Sequence, residues 1–351
     1  MMWTKRNESG TILIMTLWIL AILILLAVGI GFRASLDLKL TGYKIDELKC
    51  RLLAEAGIVL AKSRLLEDGT AEIDTLYECG FTLDEEEEIS EIFEDIELKE
   101  GSFSILAFDE EDLFRPGIAD EERRLNLNFA TKEMLIDLFP GRITEALAEN
   151  ILAWRGDTSI PEHSSARDYS ELPYELKGEP FESLEEILLV KDIGPEVFYG
   201  EDLDEDGKVD LDEKGLKDYV TVWGEGGKVN INTATQRTLE AIGFSDSADV
   251  LVAYRKGDDM SIEDTEDNRY FIKKEDVLNF LQSAEGGGIG AEEVARFTTI
   301  LDNHIIYKSQ VFRIISEGLS TDGKVRKTLT AIYQKQDDSG ERLKLLSFHE
   351  N

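Results

Sequence analysis

The hydrophobic pattern changes character once, sharply, near the N-terminus. From Thr11 to Phe32 the chain carries no charged residue, a run that at helical rise covers the hydrocarbon core of a bilayer. Lys5 and Arg6 precede it, which orients the short leading tail toward the cytoplasm and exports the rest. A cleaved secretory signal would end in a small-x-small site, whereas here the apolar run continues into a charged helix. Beyond Arg33, Leu38, Ile45, Leu48, Leu52, Ala56 and Val59 recur at spacings of three, four and seven, and Asp68-Gly69 supplies a stop. The pattern predicts one helix of about 85 Å, half in lipid and half lying along a soluble body.

After the helix, Gly101–Phe108 and Val311–Ser316 alternate as strands do, and Asp322-Gly323 followed by Lys327–Tyr333 predicts a hairpin. Between these strands lies a long stretch with helical patterning. The expected fold is α+β: the long helix packed on a small antiparallel sheet, with a large, mostly helical insertion. The expected boundaries are a leader at 1–10, the helix at 11–68 with its transmembrane part at 11–32, a body of 69–110 plus 305–351, and an insertion at 111–304.

The insertion repeats itself. Leu125-Asn-Leu-Asn-Phe-Ala-Thr131 matches Val229-Asn-Ile-Asn-Thr-Ala-Thr235, and helices lead from each to Ala153-Trp-Arg-Gly-Asp157 or Ala253-Tyr-Arg-Lys-Gly-Asp258. Two units, at about 122–200 and 226–300, are expected, with Asn126, Asn128, Asn230 and Asn232 as the motif. Asn and Thr before an apolar run accept the free N–H groups of a helix start.

Charge narrows the functions available. With 73 acidic against 38 basic residues the formal charge is −35, a field that repels phosphate and favours divalent cations and basic protein surfaces. Asp202-Leu-Asp-Glu-Asp-Gly-Lys-Val-Asp-Leu-Asp-Glu213 matches a twelve-residue EF-hand-type loop. Asp202, Asp204, Asp206, the Lys208 carbonyl, Asp210 and Glu213 are the expected structural calcium ligands, with Gly207 at the sharp turn. A solvated acidic turn would not also place the glycine and the apolar Val209. The acids between Asp258 and Asp267 lack loop spacing and read as surface. Cys50 and Cys79 are the two cysteines, and both a bridge and two separate thiols fit their spacing. The three histidines have no metal-type or triad-type neighbours, and no nucleophile-elbow, zincin or phosphate-loop string occurs, so no catalysis is expected. Gly286–Gly290 follows a helical stretch rather than a strand and reads as a flexible turn between helices.

The basic leader ending in Gly10, the apolar run starting at Thr11 and the continuous helix through Leu53–Gly57 together resemble a type IV pilin-like prepilin. The resemblance implies a pilin-like fold and cutting between Gly10 and Thr11 by a prepilin peptidase. It also implies packing of the freed helices, through positions such as Met15, Thr16, Trp18, Ile22 and Leu25, into a filament core. Most such chains carry Glu at the fifth mature position, to neutralise the terminal amine of the subunit above; this one has Met15. An apolar core penalises an unpaired charge, so a subunit with nothing above it has no use for that Glu. With the paired N-x-N-x-A-T strings, which also occur in helix-hairpin-helix (SAM-like) modules, the chain resembles the K-type minor pseudopilins of type II secretion. That resemblance implies an inner-membrane protein with a periplasmic body, I- and J-type pseudopilin partners, a place at the pseudopilus tip, and calcium in the insertion. The competing reading is a membrane-anchored helix-hairpin-helix DNA receptor, which the acidity of both copies disfavours. A calcium-stabilised adhesion module would leave the leader and the filament-type helix unexplained.

Overall fold

The computed structural model describes residues 8–67, 73–76, 89–108, 114–201, 214–224, 226–257, 269–336 and 342–350. Helix α1 (Glu8–Glu67) is a single unbroken helix of 60 residues. Among the described residues nothing buries its first half, and it is long and apolar enough to cross a membrane.

Where α1 meets the body, the buried face is Cys50, Leu53, Ala54, Gly57, Ile58, Ala61 and Leu65. The periodic stripe of Leu38, Ile45, Leu48, Leu52 and Val59 is exposed. The helix carries two apolar stripes, and the one with small residues wins the sheet because it permits closer approach. A Cβ on Gly57 would collide with the Ser316 hydroxyl, and one on Gly318 with the Cys50 carbonyl. Hydrophobic period alone cannot choose between two such faces.

The short helix α2 (Ile89–Phe93) then leads into β1 (Ile96–Leu98), β2 (Gly101–Phe108), β3 (Phe114–Pro116) and β4 (Ala119–Asp120). In the insertion follow β5 (Leu125–Asn126), α3 (Lys132–Leu138), α4 (Glu145–Trp154), α5 (Pro195–Tyr199) and β6 (Val220–Thr221). The second unit holds β7 (Val229–Asn230), α6 (Gln236–Leu239), α7 (Ala248–Arg255), α8 (Lys274–Gln282), α9 (Ala291–His304) and β8 (Ile305–Ile306). The chain returns to the sheet as β9 (Val311–Ser320), β10 (Arg326–Lys335) and β11 (Leu343–Glu350).

The sheet runs β1-β2-β9-β10-β11, with β3 on β2 and β4 on β9, and every pairing is antiparallel. Gly101, Phe103, Ile105 and Ala107 of β2 alternate inward, and Phe103 and Ile105 meet Phe312, Ile314, Leu329 and Ala331 under α1 in one core. The β9–β10 hairpin turns at Gly323, whose φ of +70° suits glycine. Four strands of this sheet, β1, β3, β4 and β11, were not anticipated from the sequence; β1, β3 and β4 are two or three residues long and β11 sets Leu345 beside Leu346, so none shows clean alternation.

The insertion has its own core, from Leu125 to Ile305, shared by both units. Each unit opens and closes with a two-residue strand, β5 parallel to β6 and β7 parallel to β8. The first unit therefore runs on past residues 202–213 to Thr221.

Candidate functional site

The four motif asparagines hold the two units in the same way. In the first, Asn126 Oδ1 accepts the Asn128 N–H at 2.9 Å; in the second, Asn230 Oδ1 accepts the Asn232 N–H at 2.9 Å. Asn128 accepts the Phe181 N–H at 2.7 Å and donates to the Phe181 carbonyl at 3.0 Å. Asn232 does the same with Phe271, at 2.8 and 2.9 Å. The threonine that ends each string caps the next helix: Thr131 accepts from the Met134 N–H and Thr235 from that of Thr238, both at 3.2 Å. Arg155 and Arg255, from the matched Trp-Arg and Tyr-Arg pairs, donate to the carbonyls of Leu127 and Ile231, the residues between the asparagines. The asparagines thus fix distant backbone as well as starting helices, a role spacing does not reveal because Phe181 and Phe271 lie outside the repeated string.

The units differ in what the first asparagine grips. Asn126 Nδ2 donates to the Trp223 carbonyl at 2.8 Å, on the stretch leading into the second unit. Asn230 Nδ2 reaches the body instead, donating to the Asp74 carbonyl (3.1 Å), Asp120 Oδ2 (3.1 Å) and Ser309 Oγ (2.9 Å).

Those partners belong to the junction where the insertion leaves the sheet. Asp120-Glu-Glu-Arg-Arg124 resembles a solvated charge run in sequence, yet all five residues are buried. The chain turns at Glu121–Arg124, where the Arg124 N–H reaches the Glu121 carbonyl at 3.4 Å, and its carboxylates face different neighbours. Asp120 accepts from Ser309 and Thr233 hydroxyls at 2.6 Å each, and from the Glu122 N–H at 2.8 Å. Glu122 accepts the Gln310 N–H at 2.6 Å and the Val311 N–H at 3.3 Å. Glu121 points to the first unit and β9, accepting from the Thr221 hydroxyl at 2.6 Å and from Arg313 in a bidentate pair at 2.6 and 2.8 Å. Burial works to raise Glu121, but Arg313 and then Arg124 outweigh it and hold the carboxyl below its usual range. Burial pushes Asp120 up, against the pull of its hydrogen bonds. Burial and then the neighbouring Asp120 push Glu122 up to about 7.

Met15, Thr16, Trp18, Ile22 and Leu25 all lie on the uncontacted half of α1; Met15 and Trp18 are 64% and 66% exposed. Gly10 and Thr11 fall within α1, but their side chains lie outside what the structure describes, as do Cys79, residues 258–268 and the whole calcium-type loop, Asp202, Asp204, Asp206, Lys208, Asp210 and Glu213. The ends of that loop are placed: Gly200 and Lys214 form an antiparallel bridge, and Gly215 sits against the Phe198 carbonyl where a Cβ would not fit. Among the described residues no acidic, His or Cys cluster could hold a metal. Cys50 is buried and its thiol donates to the Val325 carbonyl at 3.2 Å.

Gly286–Gly290 joins α8 to α9 through an ordered turn, with the Ile289 N–H bonded to the Leu281 carbonyl at 3.1 Å. Glu293 Oε2 accepts the Gly290 N–H at 2.9 Å, so a carboxylate already caps α9 where a phosphate would dock.

No family model matches the chain, and no curated protein matches it. Among solved structures, it is similar to a chain of the crystal structure of the GspK-GspI-GspJ complex from the enterotoxigenic Escherichia coli type 2 secretion system. The TM-score is 0.57 at 16% identity, covering 89% of this chain and 99% of that one. A likeness so extensive at so low an identity establishes the fold: a pilin-like α+β body on a long N-terminal helix, carrying a large helical insertion.

Proposed function

We propose that this chain is a minor pseudopilin at the tip of a type II secretion pseudopilus, initiating or capping assembly with other minor pseudopilins during export across the outer membrane. The observation that carries this reading is the second stripe of α1. Leu48, Leu52 and Val59 are 55%, 56% and 65% exposed at the level of the body, on the face turned away from the sheet. An apolar stripe continuous with a membrane-spanning segment suits a neighbouring helix better than it suits water. The similar solved chain comes from a complex of GspK with GspI and GspJ, so I- and J-type subunits are the partners we assign. The body would be periplasmic, the leader cytoplasmic, and a prepilin peptidase would cut between Gly10 and Thr11. N-terminal mapping of the protein from membranes tests the assignment: a chain beginning at Thr11 supports it, and one retaining Met1 leaves only a tether and overturns it.

Calcium at residues 202–213 belongs to the same proposal. The donor set is all oxygen, as calcium requires, and the Gly200–Lys214 bridge brings the loop ends together. Asp202, Asp204, Asp206, Asp210, Glu213 and the Lys208 carbonyl would hold the ion, which would relieve repulsion among the acids and order the distal part of the first unit. The role is structural.

The DNA-receptor reading meets the Glu293 cap and the net charge of −35. A gel shift with duplex DNA at physiological salt separates the two; clear binding would favour the receptor.

A further inference from the structure

Asp120 ends β4 and Glu122 lies two residues on, in the turn that follows, and both accept hydrogen bonds from the 309–311 stretch in the seam between the sheet and the second unit. Both are buried. The donors that reach them are all neutral: Ser309, Thr233 and Asn230 side chains and the Glu122 N–H for Asp120, and the Gln310 and Val311 N–H groups for Glu122. The charged groups acting on Glu122 are Asp120 on its own segment and Asp74 on the segment before α2, and both are acidic. From β9 it meets backbone amides, from the stretch after β6 it meets Gly224, and the strand β7 offers the Asn230 N–H to its carbonyl. On the other side of the junction, Arg313 and Arg124 pair with Glu121.

Two carboxylates buried together favour having a proton between them. Both strands that tie the insertion to the sheet pass through this seam: residues 120–124 on the way out and 307–311 on the way back.

We propose that the Asp120–Glu122 pair makes this seam a pH-responsive joint, closed when Glu122 is protonated and loosened when both acids are ionised. The inference stands on the junction alone and does not require the secretion reading. Glu122 titrates near 7 in the folded protein, above the ordinary carboxylate value near 4.5. A raised carboxyl contributes its full stability below the unfolded value and loses it as pH rises through the folded one. The seam is therefore tightest below about pH 4.5, weakens toward pH 7 and is constant above it.

The test is amide hydrogen exchange at Gln310 and Val311 in the full chain in detergent micelles, from pH 5 to 8.5, corrected for intrinsic rates. Protection of both amides should fall by on the order of a hundredfold across the range in the wild type. Glu122→Gln keeps a carbonyl oxygen for the two donors and should remove most of that fall. A flat wild-type profile, or an equal fall in the variant, overturns the proposal. Carboxyl-carbon NMR of the wild type keeps the test open should the variant not fold: a Glu122 signal titrating near 7 supports the joint, and one titrating near 4.5 sinks it.

Discussion

The Asn232 side chain closes a ring of two hydrogen bonds with the backbone of Phe271, accepting at 2.8 Å and donating at 2.9 Å. The two residues are 39 positions apart, so the ring pins the stretch before α8 to the start of α6. Replacing Asn232 with Asp removes the donor and introduces a buried charge facing the Phe271 carbonyl. Breaking such a buried bond and stranding its partner costs about 1–3 kcal/mol, more where charge is involved. Asn232→Asp should therefore lower the urea midpoint of the insertion more than Asn232→Ala does. The same pair of substitutions at the less buried Asn128 should show a smaller difference.

The close approach of α1 to the sheet gives a sign test. Gly57 and Gly42 lie on the same helix, and Ala is favoured over Gly in a helix by about 1 kcal/mol at either. At Gly42 nothing lies within 4 Å of the new methyl group, whereas at Gly57 it meets the Ser316 hydroxyl and, at 2.9 Å, Phe103. Gly42→Ala should leave the melting temperature of the body unchanged or raised. Gly57→Ala should lower it, by the equivalent of about 1–3 kcal/mol for an overpacked core. Thermal unfolding followed by circular dichroism decides.

Glu121, itself buried, forms a bidentate pair with the partly buried Arg313. Removing one partner from such a pair costs about 3–5 kcal/mol, while replacing both can be nearly neutral. Arg313→Met should destabilise the protein strongly, and the double variant with Glu121→Gln should recover part of the loss. The folded value of Glu121 is depressed, so its contribution is present above the ordinary carboxylate range and is lost as pH falls through the folded value. The gap between wild type and Glu121→Gln should accordingly be wide at pH 7 and narrow in acid, opposite to the trend at Glu122.

Calcium binding at residues 202–213 predicts a melting temperature that rises with added calcium and falls with a chelator, since a ligand for the folded state stabilises by mass action. Glu213→Gln should abolish most of the rise while leaving the calcium-free melting temperature nearly unchanged. Equal responses of the two proteins to calcium would place the ion elsewhere.

Parts of the architecture were written plainly in the sequence because they rest on local rules. The uncharged run from Thr11 needs only a count, and β2 shows its alternation residue by residue. The repeated N-x-N-x-A-T string announced the two units, and the strings that follow set Arg155 and Arg255 at matching positions, though their shared bond to the carbonyl between the asparagines shows only in the structure. The junction was not visible. Asp120–Arg124 is a charge run by composition, and only the distant Thr221, Asn230, Thr233, Ser309 and Arg313 make it a buried seam. The sheet-facing side of α1 is hard to read from the sequence for a related reason: Ala54, Gly57 and Ala61 look weakly apolar, yet their small size is what lets the sheet approach.

The two faces of α1 give the sharpest test of the assembly reading. Leu53 is buried against the sheet, and its neighbour Leu52 is exposed on the opposite stripe with Leu48 and Val59. If the outer stripe receives partner helices, Leu52→Lys and Val59→Lys should leave the melting temperature of the chain alone within about 0.5 kcal/mol, as surface changes do. They should still abolish co-purification with I- and J-type subunits from membranes. Leu53→Ala should do the reverse, costing about 2–5 kcal/mol of stability as a core truncation while sparing the outer stripe. Co-purification of Leu52→Lys at wild-type yield would show that the stripe is not the contact surface, and the tip assignment would lose its main support.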